Sequence, residues 1–367
     1  MLQFHWSSAA QLEQTLKVCN AADIPFRPVR IIRRAKSLGS FITACFGVAA
    51  VLRSIHDWKI DVVMPRSILA SLPVLLADFL WKTKIVYHSD GLAADEKIDN
   101  ENVSPRSLSY RVLRLIESQI VQRSSATLSL TKFGEDILIS RSGLKQTPGK
   151  FLLVRNGKEL QTSSSSFLNP RSGPTGNKRP LRPFTLCYLG SWGIQYDPSK
   201  MLEFSMYLKA EIPGLEFCIF TGDFLSARQY VSSRCEALDE WIFIKQLAPS
   251  EINFTLGECD LGISFRRPTL SSRAVSPVKV GDYLLAGIPV IGDLTGDFAQ
   301  ELADRGVLFP LQNLGPKAAL RWIREEVVNN RLAMKERCHL VGEDNFGIRQ
   351  TAADYNRALS FAVAGGV

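Results

Sequence analysis

Short apolar runs bounded by turn residues alternate with segments of helical spacing along this chain, and that rhythm breaks once and then starts again. Before the break, Val29 to Ile32, Asp61 to Met64, Lys84 to Tyr87, Ala126 to Leu130 and Phe151 to Val154 read as strands. Between them lie helical patterns: Ser8 to about Asn20, opened by a Ser8/Gln11 capping box; a stretch ending near Ile55; Leu69 to Trp81; and Ser107 to Arg123. In the last of these, Leu108, Val112, Leu115, Ile116 and Ile120 share one face at helical spacing, which predicts that this face is buried. Alternation of this kind is the pattern of βαβ units around parallel sheets. The break, Gln161 to Pro183, holds four serines in succession, four prolines and two glycines, and reads as a linker. Beyond it the rhythm resumes with Phe184 to Leu189, a helix entered through Asp197 and Pro198, Leu215 to Thr221, Trp241 to Ile244, a helix capped by Ser250, and Leu261 to Phe265.

The expectation is therefore an α/β protein of two doubly wound, Rossmann-like domains. Their expected bounds are 1–165 and 184–345, joined by a linker at 166–183, with 346–367 as a last helix returning to the first domain. A length of 367 residues supports two domains, because single cores tend to split beyond about 250–300 residues. With 46% apolar and 22% charged residues the chain reads as folded and globular. Forty-four Lys and Arg against thirty-six Asp and Glu leave a net charge of +8, which favours anionic ligands. Arg27, Arg30, Arg33, Arg34 and Lys36 form a run without an acid, close to Phe41 and Phe46, and a run of that kind suits an anionic membrane surface. Stacking aromatics are not interleaved with these cations and no recognition motif is present, so nucleic acid is not an expected partner.

Seven scattered cysteines without a C-x-x-C are expected to be reduced thiols in a cytoplasmic protein. The opening residues Met1 to His5 lack the basic start and long apolar core of a signal peptide. Ser40 to Leu52 is too short to span a bilayer and is expected to be a buried helix. P-loop, G-x-G-x-x-G, H-E-x-x-H and G-x-S-x-G motifs are all missing, and no two Asp are separated by a single residue, so neither a metal nor a cofactor is expected.

The most informative stretch is Ser276 to Ile291, SPVKVGDYLLAGIPVI. Ser276 reads as an N-cap, Pro277 as the first helical residue, and Gly287 as the stop before a strand. A helix start of this kind offers free N–H groups and the positive end of a dipole to a phosphate or diphosphate. Lys279 stands in the first turn, where acidic residues are usually preferred, and an anion bound there accounts for it. Asp282, one turn deeper, has the reach to accept hydrogen bonds from the two vicinal hydroxyls of a ribose. The plainer alternative is an exposed pair of opposite charges three residues apart.

This stretch is similar to the segment P-x-K-x-x-E-Y-L-A-x-G-x-P-V-I of GT-B glycosyltransferases of family 4. CYLGSWGIQYDPS resembles the opening strand and loop of that family's C-terminal nucleotide-binding domain, and ECDLGISF resembles its A-D-x-G-I strand. In the N-terminal half, RSILASLPVLLA, IVYHSDGLAADE, RLIESQIVQRSSATLSLTKFGEDIL and LLVRNG resemble acceptor-domain segments. The resemblance implies two Rossmann-like domains facing a central cleft. It also implies transfer of a sugar, with retention and without a metal, from a nucleotide-sugar donor to a glycan or lipid-linked acceptor, as in surface polysaccharide biosynthesis. The protein would then be cytoplasmic, or peripheral on the inner face of the membrane.

Residue by residue, the resemblance and the strand ends point to Gly190, Ser191, Gln246, Arg266, Arg267, Ser276, Val278, Lys279 and Asp282 for the nucleotide sugar. Lys200 is a further candidate for the diphosphate. His88, Asp90 and Lys279 are the catalytic candidates, and Arg66 and Ser67 lie on the acceptor side, beyond the carboxyl ends of strands where open α/β sheets bind ligands. Asp95 and Glu96 read as a solvated helix start.

Three departures stand out. The family's first carboxylate position is Ala274, no glycine occurs before Gly39, and Ser191 stands where a basic residue often follows the loop glycine. They keep two other readings open: an epimerase or hydrolase on the same fold, and a catalytically silent subunit that binds a partner.

Overall fold

The computed structural model describes residues 1–5, 7–32, 36–158, 182–235, 239–293 and 295–365. Arg33, Arg34 and all but the last two residues of the expected linker 166–183 lie outside the described residues. The chain divides into Met1–Val154 with Asp354–Val367, and Arg155–Ala353. The boundary thus falls ahead of the 165 expected from composition, and the return to the first unit comes at Asp354, later than 346.

The first unit carries strands β1 (Leu2–His5), β2 (Arg27–Arg30), β3 (Val62–Val63), β4 (Lys84–His88), β5 (Ala126–Ser129) and β6 (Phe151–Leu153). All pairings are parallel, β1 with β2 and then β3-β4-β5-β6. Its helices are α1 (Ala9–Ala21), α2 (Lys36–Trp58), α3 (Ser67–Leu80), α4 (Ala93–Glu101), α5 (Leu108–Arg123) and α6 (Lys132–Ser142). Local chemistry sets several ends: Ser8 and Gln11 form the expected capping box, Ser107 caps α5, and α6 stops at left-handed Gly143. One face of the four-stranded sheet packs Val86, Ala126 and Leu128 against Ala358 and Ala362. Ile68, Leu113 and Ile116 form a second cluster where α3 meets α5.

Three expectations for this unit are corrected. The face of α5 read as buried is largely exposed at Leu108, Val112 and Leu115, while Leu113, Ile116, Glu117, Ile120 and Val121 are buried. Periodicity counts apolar residues, and a carboxylate on the core side conceals the true face. Secondly, α2 is amphipathic: Ala50, Val51 and Ile55 are buried, but Cys45 and Phe46 are exposed. At Gly47 the helix comes close to its neighbours, since a Cβ there would sit 2.9 Å from the Phe4 ring and 3.0 Å from Pro73 Cβ. Thirdly, Asp95 is not solvated. Its carboxylate takes two hydrogen bonds from Arg141, at 2.6 and 2.8 Å, and one from the Tyr110 hydroxyl at 3.4 Å. Buried Glu117 pairs with Arg114 and lies 3.6 Å from Arg141.

The second unit holds β7 (Thr185–Leu189), β8 (Glu216–Phe220), β9 (Ile242–Lys245), β10 (Leu261–Ser264), β11 (Val290–Gly292) and β12 (Leu308–Pro310). The helices are α7 (Pro198–Glu211), α8 (Phe224–Ser232), α9 (Ile252–Gly257), α10 (Val278–Leu285), α11 (Asp297–Asp304), α12 (Leu311–Trp322), α13 (Arg331–Phe346) and α14 (Ile348–Ala364), the last continuing into the first unit. The six strands are all parallel in the order β12-β11-β10-β7-β8-β9, the Rossmann order with its switch point between β7 and β10. Both faces are covered, as a parallel sheet requires. Leu186 and Tyr188 of β7 pack with Met201, Leu202 and Leu208 of α7, while Cys187, one residue out of phase, packs with Tyr283 and Leu284 of α10 and Cys338 of α13. Asp197 caps α7 ahead of Pro198 as expected, but Ser250 caps nothing, and a short 3₁₀ turn precedes α9 instead. All seven cysteines are free. Among the described residues no helix is long and apolar enough to cross a membrane.

Candidate functional site

The switch point in the second unit is built around Tyr283. Its ring lies flat over Gly262, where a Cβ would meet ring carbons at 2.6 Å. Its hydroxyl accepts from the Leu189 N–H at 2.7 Å and donates to the Ile263 carbonyl at 3.2 Å. One side chain of α10 thereby ties together the two strands that diverge at the switch point. The helix starts one residue later than expected: Pro277 is the N-cap, and the Ser276 hydroxyl caps nothing. The stop is as expected, with Gly287 at φ +78° and the Gly287 and Ile288 N–H groups closing on the Leu284 and Tyr283 carbonyls.

Lys279 is not part of an exposed pair of charges. It is buried, and its Nζ stands 4.0 Å from the ring centroid of Tyr188 and 3.9 Å from that of Tyr196, with no hydrogen-bond partner. Gly190, at φ +134°, leaves the room: a Cβ there would lie 2.9 Å from Nζ. Burial pushes the ammonium pKa well down, Arg266 pushes it further, and Asp282 opposes both. Two aromatic faces recover part of the lost hydration. A buried cation without an anion is nonetheless costly, and an arriving phosphate relieves the cost.

The surroundings repeat this pattern. Ser264 Oγ, Ser276 Oγ, Asp293 Oδ1 and Trp192 Nε1 are buried without partners, and they belong to the strand ends and loops at the carboxyl edge of the sheet. Buried polar groups without partners along one edge of a sheet suit a polar ligand. Lys200, in the first turn of α7, pairs with the other oxygen of Asp293. Arg266 stacks over Tyr196 at 5.4 Å, and the Arg267 N–H donates to the Gln195 carbonyl at 3.2 Å. Ser191 is exposed, its carbonyl accepting from the Tyr188 hydroxyl at 2.6 Å. Val278 is exposed at the start of α10, and Gln246 is exposed beyond edge strand β9, two strands away from β7.

Asp282 is buried and paired with Lys158, a residue the sequence analysis did not single out. Burial raises its pKa, and the charges of Lys158 and Lys279 hold it back. Lys158 is held by its backbone, which donates to the Phe346 carbonyl and accepts from the Ile348 N–H. Its only sequence signal is its place just after the LLVRNG segment. Ala274 is buried in a 3₁₀ turn, and the turn meets the loop after β11, where Ser272 Oγ and Thr295 Oγ1 are 3.4 Å apart. Asp293, in that same loop, brings a carboxylate that the family pattern did not point to.

In the first unit the structure brings His88, Asp90 and Arg66 together. Arg66 Nε donates to both Asp90 oxygens, at 2.7 and 3.0 Å, and His88 Nε2 lies 3.9 Å from Asp90 Oδ1. His88 is buried; its Nδ1 meets the Tyr355 hydroxyl at 3.3 Å, while Nε2 makes no hydrogen bond. Ser67 begins α3 at φ +74°, a strained position for a side chain other than glycine. Burial lowers the His88 pKa from 6.5 to about 4, with Arg66 assisting and Asp90 opposing. The native state therefore refuses a proton that the unfolded chain accepts, so stability is expected to fall as pH drops from about 6.5 to about 4, by up to roughly 3 kcal/mol. Thermal unfolding of the wild type and of His88→Asn across that window checks this. An equally steep pH dependence in the variant would remove His88 as its source.

Residues 8–157 match the model of the glycosyl transferase 4-like domain. Anabaena HepE in complex with UDP-glucose has a TM-score of 0.68 at 14% identity, covering 98% of this chain and 91% of that one. A glycosyltransferase from Rickettsia africae gives 0.70 at 12% identity, covering 100% and 90%. Sucrose-phosphate synthase from Thermosynechococcus elongatus gives 0.61 at 13%, covering 99% and 94%. A comparison with curated protein sequences gives no match. The fold is thus GT-B, two Rossmann-like units as in these structures. Residues 8–157 thus carry a glycosyl transferase 4-like domain.

Proposed function

We propose that this protein transfers a hexose from a nucleoside diphosphate donor to a glycan or lipid-linked acceptor, with retention of anomeric configuration, in the assembly of a polysaccharide. The observation that carries the reading is the Lys279 ammonium, buried without an anion between Tyr188 and Tyr196 beside Gly190 at the switch point. The N–H groups at the start of α10 and Lys279 take the diphosphate, with Lys200 and Arg266 adding charge, so the reading calls for no resident metal. Asp282, steadied by Lys158, takes the ribose hydroxyls. On the acceptor side the reading assigns His88, Asp90 and Arg66. His88 is neutral near pH 7, so Nε2 is free to accept or donate one hydrogen bond to a hydroxyl. As the sugar–oxygen bond to the donor phosphate breaks, negative charge grows on the diphosphate beside Lys279; the acceptor oxygen bonds to the anomeric carbon from the same face, and the departing phosphate accepts the proton that the acceptor hydroxyl loses.

Calorimetry with UDP, GDP and dTDP, followed by turnover assays with the corresponding nucleotide sugars, tests the reading. Binding of at least one nucleotide, lost at high phosphate concentration, is the expected result. Binding without turnover on any acceptor would favour the silent subunit, an epimerised donor formed without acceptor would favour the epimerase, and no binding at all would overturn the assignment of the site.

A further inference from the structure

The apolar side chains that α5 fails to bury do not stand alone. Leu108 is 77% exposed, and Val112 and Leu115 follow it along the helix. On α3, Leu69, Leu76, Phe79 and Leu80 are exposed in the same way, with Phe79 at 81%, and Trp81 continues the row beyond the helix end. The two helices lie side by side, joined through Ile68, Leu113 and Ile116 and by the Arg123–Asp78 ion pair at 2.9 Å. Eight large apolar residues on two adjacent helices are more than isolated exposed residues explain.

The charges are as one-sided as the apolar residues. The only acid of α3, Asp78, is held by Arg123, and the only acid of α5, Glu117, is buried against Arg114. What α5 shows to solvent is Arg111, with Arg106 just before it and Lys82 just after Trp81. From this pairing of exposed leucines with unopposed cations we infer that the α3–α5 face seats the protein on an anionic lipid bilayer. It lies in the interface rather than spanning it, with Phe79, Leu80, Trp81 and Lys82 forming an end in which aromatic rings sit at headgroup depth and a cation reaches phosphate. A second copy of the chain suits the face poorly, since a two-fold contact would bring two sets of Arg106, Arg111 and Lys82 into one interface while Asp78 and Glu117, the acids of these helices, are already paired. Of the basic run expected to make such contact, Arg27 is taken up by Asp57 and Ser54 and stacks on Trp58.

The inference stands apart from the donor site and is tested without turnover. The full chain is floated with vesicles of phosphatidylcholine, alone or with 30% phosphatidylglycerol, at low and high salt. Binding should require the anionic lipid and weaken with salt. Leu76→Gln with Leu80→Gln should lower the partition at least tenfold, and Arg106→Gln with Arg111→Gln should lower it by roughly fivefold per charge. Thermal unfolding and UDP calorimetry, both expected to be unchanged, confirm that the variants fold. Loss of UDP binding with vesicle binding intact would count against the donor reading alone. The lipid inference is overturned if anionic vesicles are not bound at low salt, if both variants bind as the wild type does, or if sedimentation velocity shows a dimer that the leucine variant abolishes.

Discussion

Lys279→Met is expected to lower kcat by about a hundredfold to a thousandfold while leaving the protein at least as stable as before. Both halves follow from one observation, a buried ammonium with aromatic rings around it and no anion. In the resting protein this charge is a cost, because two tyrosine faces replace only part of the water it gives up. Methionine keeps the length and removes the charge, so the melting temperature should rise or hold. On the proposed function the same charge meets a diphosphate whose negative charge grows as the sugar leaves, and removal of one such preorganised group costs on the order of 10²–10³ in rate. Asp282→Asn should separate from it: donor affinity weakened about tenfold to a hundredfold, together with lower stability, because the carboxylate is buried against Lys158. Steady-state kinetics, nucleotide calorimetry and thermal unfolding of both variants decide the matter. A Lys279 variant that is less stable and fully active would make the lysine a structural residue.

The largest stability effect is expected away from the chemistry, at Asp95. Its two short hydrogen bonds to Arg141 cross from α4 to α6, and both side chains are mostly withdrawn from water. Removing one partner of a buried pair leaves the other charged and unsatisfied, which costs about 3–5 kcal/mol. Asp95→Ala is therefore expected to destabilise the first unit by about that much in urea unfolding. Arg141 keeps Glu117 at 3.6 Å, which places the expected loss nearer the lower figure. Asp95→Ala combined with Arg141→Met should lose less than the sum of the two single changes, since no buried charge is then stranded. Additive losses, or a single loss below about 1 kcal/mol, would show that the pair contributes little.

Much of the architecture was readable because its causes are local. Ser8 with Gln11, Ser107, Asp197 with Pro198, and Gly287 each mark a helix end through contacts within a few residues. The alternation of strand and helix named the fold class, and SPVKVGDYLLAGIPVI pointed to the helix at the switch point. Its register was off by one residue, since Ser276 is buried and leaves its hydroxyl unpaired instead of capping. The α5 misreading has the same physical root. An apolar stripe is evidence of burial only if its neighbours have nothing better to bury, and here Glu117 takes the core side with Arg114.

Local sequence was enough for the two α/β halves, several helix ends and the residue types of α10, because each depends on φ/ψ preference, spacing and capping over a few residues. Packing across the fold alone places Lys279 between Tyr188 and Tyr196, Lys158 on Asp282, Asp293 on Lys200, and Arg141 on Asp95. Those partners lie on different strands, helices and loops, and desolvation, which sets both their cost and their use, depends on what packs around a charge and not on its neighbours in the chain.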